Sequence, residues 1–147
     1  MTKENISGGR RSVDLDTIQN KELPGLYVIN VPKAVKSYYK VGISEADLEK
    51  RVAQYILSYP FGFNIVGVLI FKDTDRFTKV RKAESEVIKH FRKNRVFNYK
   101  GMRTSEWIRI RNDKEVKELK NLLKDIAARD GAKLSWFADS HSINLAD

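Results

Sequence analysis

Cysteine is absent from this 147-residue chain, which excludes disulfides and thiolate metal sites and suits a reducing compartment. No apolar run is long enough for a membrane span: the longest, FNIVGVLIF at 63–71, is short and interrupted by Gly67. Residues 1–30 hold no charged-then-apolar signal sequence. Internal repeats and low-complexity tracts are missing, as is any recognisable zinc finger or helix-turn-helix. These absences predict one soluble, intracellular domain, in the cytoplasm or nucleoid of its cell, with enough chain to bury a real core.

Acidic residues are scarce in one region. The net charge is +9, and residues 76–103 alone carry ten Lys or Arg against Glu84 and Glu86, a local +8. Residues 1–24 balance four bases with four acids. Such a cluster is the electrostatic footprint of a polyanion partner. Nucleic acid ranks ahead of an anionic membrane, because no amphipathic helix with exposed aromatics accompanies the charge. A solvated basic face with no partner is the plainer alternative. Nothing in the sequence sets an oligomeric state.

Residues 1–23 are polar, include Gly8-Gly9 and show no period, which predicts a mobile arm ended by Pro24-Gly25. GLYVINV (25–31) and SYYKVGI (37–43), separated by a loop starting at Pro32, predict an antiparallel hairpin. Ser44 and Asp47 form an S-x-x-D capping pattern before a helix over 45–58, with Leu48, Val52 and Ile56 as its apolar stripe. Pro60-Phe61-Gly62 breaks that helix, and 63–71 reads as a central strand covered on both faces. A basic helix over about 75–93, an alternating edge strand SEWIRIR (105–111) and a helix over 113–131 stopped by Gly131 follow. Residues 132–147 form a tail without period. The fold class is therefore α+β, with a three- to four-stranded, mainly antiparallel sheet flanked by helices. The segments are an arm (1–23), a domain (24–111), a helix packed on it (112–131) and a tail (132–147).

The basic helix contains an anomaly. In FTKVRKAESEVIKHF, helical spacing gathers Phe77, Val80, Val87, Ile88 and Phe91 on one stripe, and Glu84 falls inside it. Glu86 falls on the opposite, solvated side. A carboxylate on a buried face is costly unless it is paired or binds a metal. Three placements are open to Glu84: the rim of the core, a buried Arg or Lys partner, or a hard divalent cation. Nearby, Arg51 and Tyr55 stand side by side at i, i+4, and strand alternation puts Tyr27 with Ile29 and Lys40 with Gly42. Gly42 leaves room for something to approach the backbone.

Gly25-Leu26-Tyr27, then Lys40-Val41-Gly42, then DLEKRVAQY (47–55), then Glu84, resembles the GIY-YIG endonuclease superfamily. The likeness is to the phage and viral branch whose second motif reads Lys-Ile-Gly. It runs from about Pro24 to Ile110, and AESEVIKHFRKNRV followed by SEWI is also similar to that branch.

The resemblance implies a metal-dependent DNA endonuclease that hydrolyses phosphodiesters. In that scheme Tyr27 is the general base or its close helper, and Lys40 occupies the slot of the second motif's Tyr. Arg51 binds the scissile phosphate with Tyr55 assisting, and Glu84 ligates Mg2+, for which Mn2+ substitutes. Arg81, Lys82, Arg92, Lys93, Arg95, Lys100 and Arg103 would contact DNA phosphates as a group. Two departures favour an alternative, a non-catalytic DNA-binding module of the same fold. Lys40 replaces the Tyr while Tyr39 points to the opposite face, and Ile88 stands where that branch often has His. His90 points away from the stripe, toward solvent. Glu106 and Trp107 read as ordinary edge-strand residues.

Overall fold

The two β-rich runs pair antiparallel as β1 (Gly25–Asn30) and β2 (Tyr38–Ser44), with Tyr27 opposite Gly42 and Ile29 opposite Lys40. The computed structural model describes residues 17–30, 38–58, 63–72, 76–97 and 103–138. Residues 1–16, the loop from Pro32, the Pro60–Gly62 break, Lys100 with Gly101, and residues 139–147 lie outside the described residues. After β2 come α1 (Leu48–Ser58), β3 (Asn64–Phe71), α2 (Arg76–His90), a 3-10 turn (Arg92–Asn94), β4 (Arg95–Phe97), β5 (Arg103–Arg109), α3 (Asp113–Asp130) and β6 (Ala132–Trp136). The strands form one sheet in the order β4-β5-β2-β1-β3-β6, and all neighbours are antiparallel.

The class is α+β, but the sheet has six strands where the sequence predicts three or four. β4 is three residues long, too short to show a period of two. β6 comes from the stretch read as a tail: Gly131, in the left-handed region at φ 70°, ends α3 and turns the chain back along β3. Because β4 covers its outer side, β5 is an inner strand rather than the edge strand that SEWIRIR suggests.

Strand alternation divides the sheet into two cores. On one face Leu26, Val28, Tyr39 and Val41 pack with Val80, Ala83 and Val87 of α2, with Phe91 just after it, and with Leu119, Leu123 and Ile126 of α3. On the other, Tyr27, Ile29, Ile65 and Val68 pack with Leu48 and Val52 of α1. Ile18 joins this second core at 4% exposure. The backbone carbonyl of Lys21 accepts from Leu48 N at 2.9 Å, and Lys21 pairs with Glu49 at 2.9 Å. Residues 17–23 are thus seated against α1, a correction to the mobile arm for that stretch. Glu86 is 30% exposed, and the Arg129 guanidinium from α3 donates to both its oxygens, at 2.6 and 3.0 Å.

Candidate active site

Tyr27 and Gly42 explain each other. They face one another across β1 and β2, and the phenol of Tyr27 lies flat over the glycine, where an added methyl would overlap its ring and hydroxyl. Any side chain at 42 would expel the tyrosine. Tyr27 is 1% exposed, enclosed by the core that Leu48 and Val52 complete.

Lys40 shares that face, opposite Ile29 on one side and Trp107 on the other. The β2–β5 ladder runs from Tyr38↔Arg109 to Lys40↔Trp107 and ends there, although β2 continues to Ser44 and β5 begins at Arg103. The two strands part at this point and leave a notch in the sheet. Alternation places Trp107 on the α1 face and Glu106, like Ile108, on the α2 face. Lys40 nevertheless donates to Glu106 Oε1 at 2.5 Å, with its ammonium 5.4 Å from the centre of the Trp107 ring. The pair therefore joins β2 to β5 at the notch, the open end of their ladder.

Beside it, the β2–α1 connection shapes a cleft. Ser44 ends β2 buried, its hydroxyl donating to the Ala46 carbonyl at 3.0 Å, and Asp47 caps the helix by accepting from Lys50 N at 3.1 Å. The cap is one turn later than the S-x-x-D pattern implies, because Ser44 is still paired with Gly25 in the sheet. Asp47 adopts φ 60°, a left-handed conformation that Asp tolerates better than most residues. The resulting cleft, about 540 Å³, is lined by residues 43–47 together with Lys50, Arg51, Gln54 and Arg81. Arg51 donates to Gln54 Oε1 at 3.4 Å, and Arg81 enters from α2.

Glu84 sits one turn beyond Arg81 and is half-buried. Burial raises its carboxyl above the usual range, and the charge of Glu106 raises it further, against opposing pulls from Lys40, Arg81 and Arg51. Glu84, Glu106, Lys40, Arg81 and Arg51 thus share one electrostatic neighbourhood. Arg51 comes from α1 and Arg81 and Glu84 from α2, helices packed on opposite faces of the sheet, while Lys40 and Glu106 stand on strands. Glu84 stands at the rim of the core, in the field of these cations. Glu106, read from sequence as a plain strand residue, pairs with Lys40 and acts on Glu84, a placement set by strand pairing that the sequence does not display.

The remaining candidates are scattered. Tyr55 lies in α1, with its side chain outside the described residues. Lys82 is near enough to Asp130, at the end of α3, to help depress that carboxyl, whose main influence is the Arg129 hydrogen bond. Arg92 and Lys93 line a separate groove of about 440 Å³ with His90, Asn94, Glu115 and Glu118. There His90 is half-exposed as expected, but Nε2 meets Glu118 Oε2 at 2.8 Å. Arg95 and Arg103 are fixed by backbone pairing on β4 and β5, with their side chains outside the described residues, as is Lys100 altogether. Among the described residues no three of His, Cys, Asp and Glu gather in a metal-binding group.

The model of the T5orf172 domain matches residues 25–127, well over half of the chain. The chain belongs to the T5orf172 domain family. The matched span contains Tyr27, Lys40, Arg51, Arg81, Glu84 and Glu106, and ends within α3, so β6 is an addition outside the T5orf172 match. A relative, the uncharacterized protein R9 of Acanthamoeba polyphaga mimivirus, is 33% identical over 98 residues, 66% of this chain and 24% of the viral protein. The chain therefore spans about a quarter of that relative. No solved structure matches. T5orf172 membership supports a nuclease-like or DNA-binding role, and no helix of the described residues is long and apolar enough to cross a membrane.

Proposed function

We propose that this chain is a GIY-YIG-type endonuclease that hydrolyses DNA phosphodiesters with one divalent cation, Mg2+ or Mn2+, at the notch between β2 and β5. The observation that carries this reading is the meeting of Lys40, Arg51 and Arg81 with a half-buried Glu84 whose carboxyl is raised by burial. Phosphodiester hydrolysis demands charge neutralisation around the phosphorus, and Arg51, Arg81 and Lys40 together with a divalent cation would provide it.

Glu84 is the residue that would hold the cation, and one carboxylate suits Mg2+, which keeps most of its waters and takes phosphate oxygens as further ligands. When bound, it supplies Lewis acidity at the phosphate. Arg51 and Arg81 line the cleft that receives the scissile phosphate, and Lys40 approaches from the notch. Tyr27, beside Lys40 on the α1 face, takes the proton of the attacking water.

The near-complete burial of Tyr27 favours a second reading, a DNA-binding module of the same fold that does not cut. Supercoiled plasmid incubated in Mg2+ and in EDTA distinguishes the two. The endonuclease reading expects open-circle or linear product that needs the metal and disappears in Glu84→Ala. Binding without a break in either Mg2+ or Mn2+ supports the second reading.

A further inference from the structure

We propose that Glu106 is a positioning residue for Lys40, holding its ammonium in the notch above Trp107, where it meets the DNA phosphate. This rests on the nuclease reading above. Lysine has a flexible stem and a compact charge, so an unheld Lys40 would spread over many rotamers. Here its side chain is only 13% exposed, and one N–H is committed to Glu106 at 2.5 Å. Trp107 forms a fixed wall opposite it in register. Glu106 lies in the chain directly beside the last paired position of the β2–β5 ladder, Trp107, which stands opposite Lys40. Two ammonium donors remain for a phosphate oxygen. Glu106 is 41% exposed, so it retains water at its outer oxygen and is not a sealed core ion pair.

The test combines nicking kinetics with a double-variant cycle. Glu106→Gln is expected to lower turnover about 10- to 100-fold while KM for DNA stays within about twofold, as for residues that orient a catalytic group. Glu106→Asp should recover part of the loss, and Lys40→Met with Glu106→Gln should be no slower than Lys40→Met alone. Wild-type turnover in Glu106→Gln, or losses that multiply in the double variant, overturns the inference and leaves the nuclease reading intact. If the wild type makes no nick, that reading fails, and NMR of the lysine ammonium groups decides the inference separately. A slowly exchanging signal, assigned to Lys40 by its loss in Lys40→Arg and absent in Glu106→Gln, upholds the hold on Lys40. A Lys40 signal exchanging as fast as those of solvated lysines overturns it.

Discussion

Glu84 lies half-buried on α2, on the same stripe as Val80 and Val87 and in the field of Lys40, Arg51 and Arg81. Its carboxyl is raised by burial, so the folded state binds its proton more tightly than the unfolded chain does. Ionising it therefore costs stability as pH rises from the ordinary carboxylate range through the raised value. Glu84→Gln removes that cost: without metal, its Tm should exceed that of the wild type at neutral pH, and the gap should close below the carboxylate range. Scanning calorimetry at both pH values checks this, and a lower Tm for Glu84→Gln at neutral pH contradicts it. Glu106 was not legible in the sequence, because strand alternation reports the face of a residue and not where a ladder ends. Its place depends on β2 and β5 parting after Lys40↔Trp107, a feature of pairing between distant segments.

At the scale of elements, the hairpin was readable because both strands are rich in β-branched and aromatic residues and each shows its face by alternation. The reason for Gly42 became visible only with register, which puts it beneath the Tyr27 ring. Gly42→Ala should destabilise the protein by about 1–3 kcal/mol through overpacking, measured by urea unfolding. Nicking should fall further than the unfolded fraction explains, since Tyr27 is displaced; an unchanged rate in the folded variant would count against a role for that tyrosine. β4 and β6 escaped the sequence reading for a common reason. Each is short, and each is stabilised by a neighbouring strand rather than by local propensity. The three helices carry their own stripes and were found close to their observed bounds.

Over the whole molecule, the sequence showed that positive charge is concentrated but not that it is divided. Arg81 faces the cleft, Lys82 faces the end of α3, and Arg92 with Lys93 lie at the far end of α2. Arg81 and Arg92 are separated along the chain by 11 positions, and at helical rise this puts the groove on the order of 15 Å from the cleft. A duplex seated in the cleft would meet the second cluster along its backbone. DNA affinity measured in EDTA should fall with salt, and Arg92→Ala and Lys93→Ala should each lower the log–log slope by about 1. A slope unchanged in both variants would remove the far groove from the DNA path. A single metal-dependent cutting site assembled from α1 and α2 can be checked by single-turnover cleavage of end-labelled duplex DNA in Mg2+ by the wild type, Glu84→Ala on one helix and Arg51→Ala on the other. Cleavage by the wild type, a loss of about 100-fold or more in each variant, and duplex binding that persists in both are expected. A wild type that binds but does not cut in Mg2+ or Mn2+, or a variant that cuts at the wild-type rate, would contradict such a site.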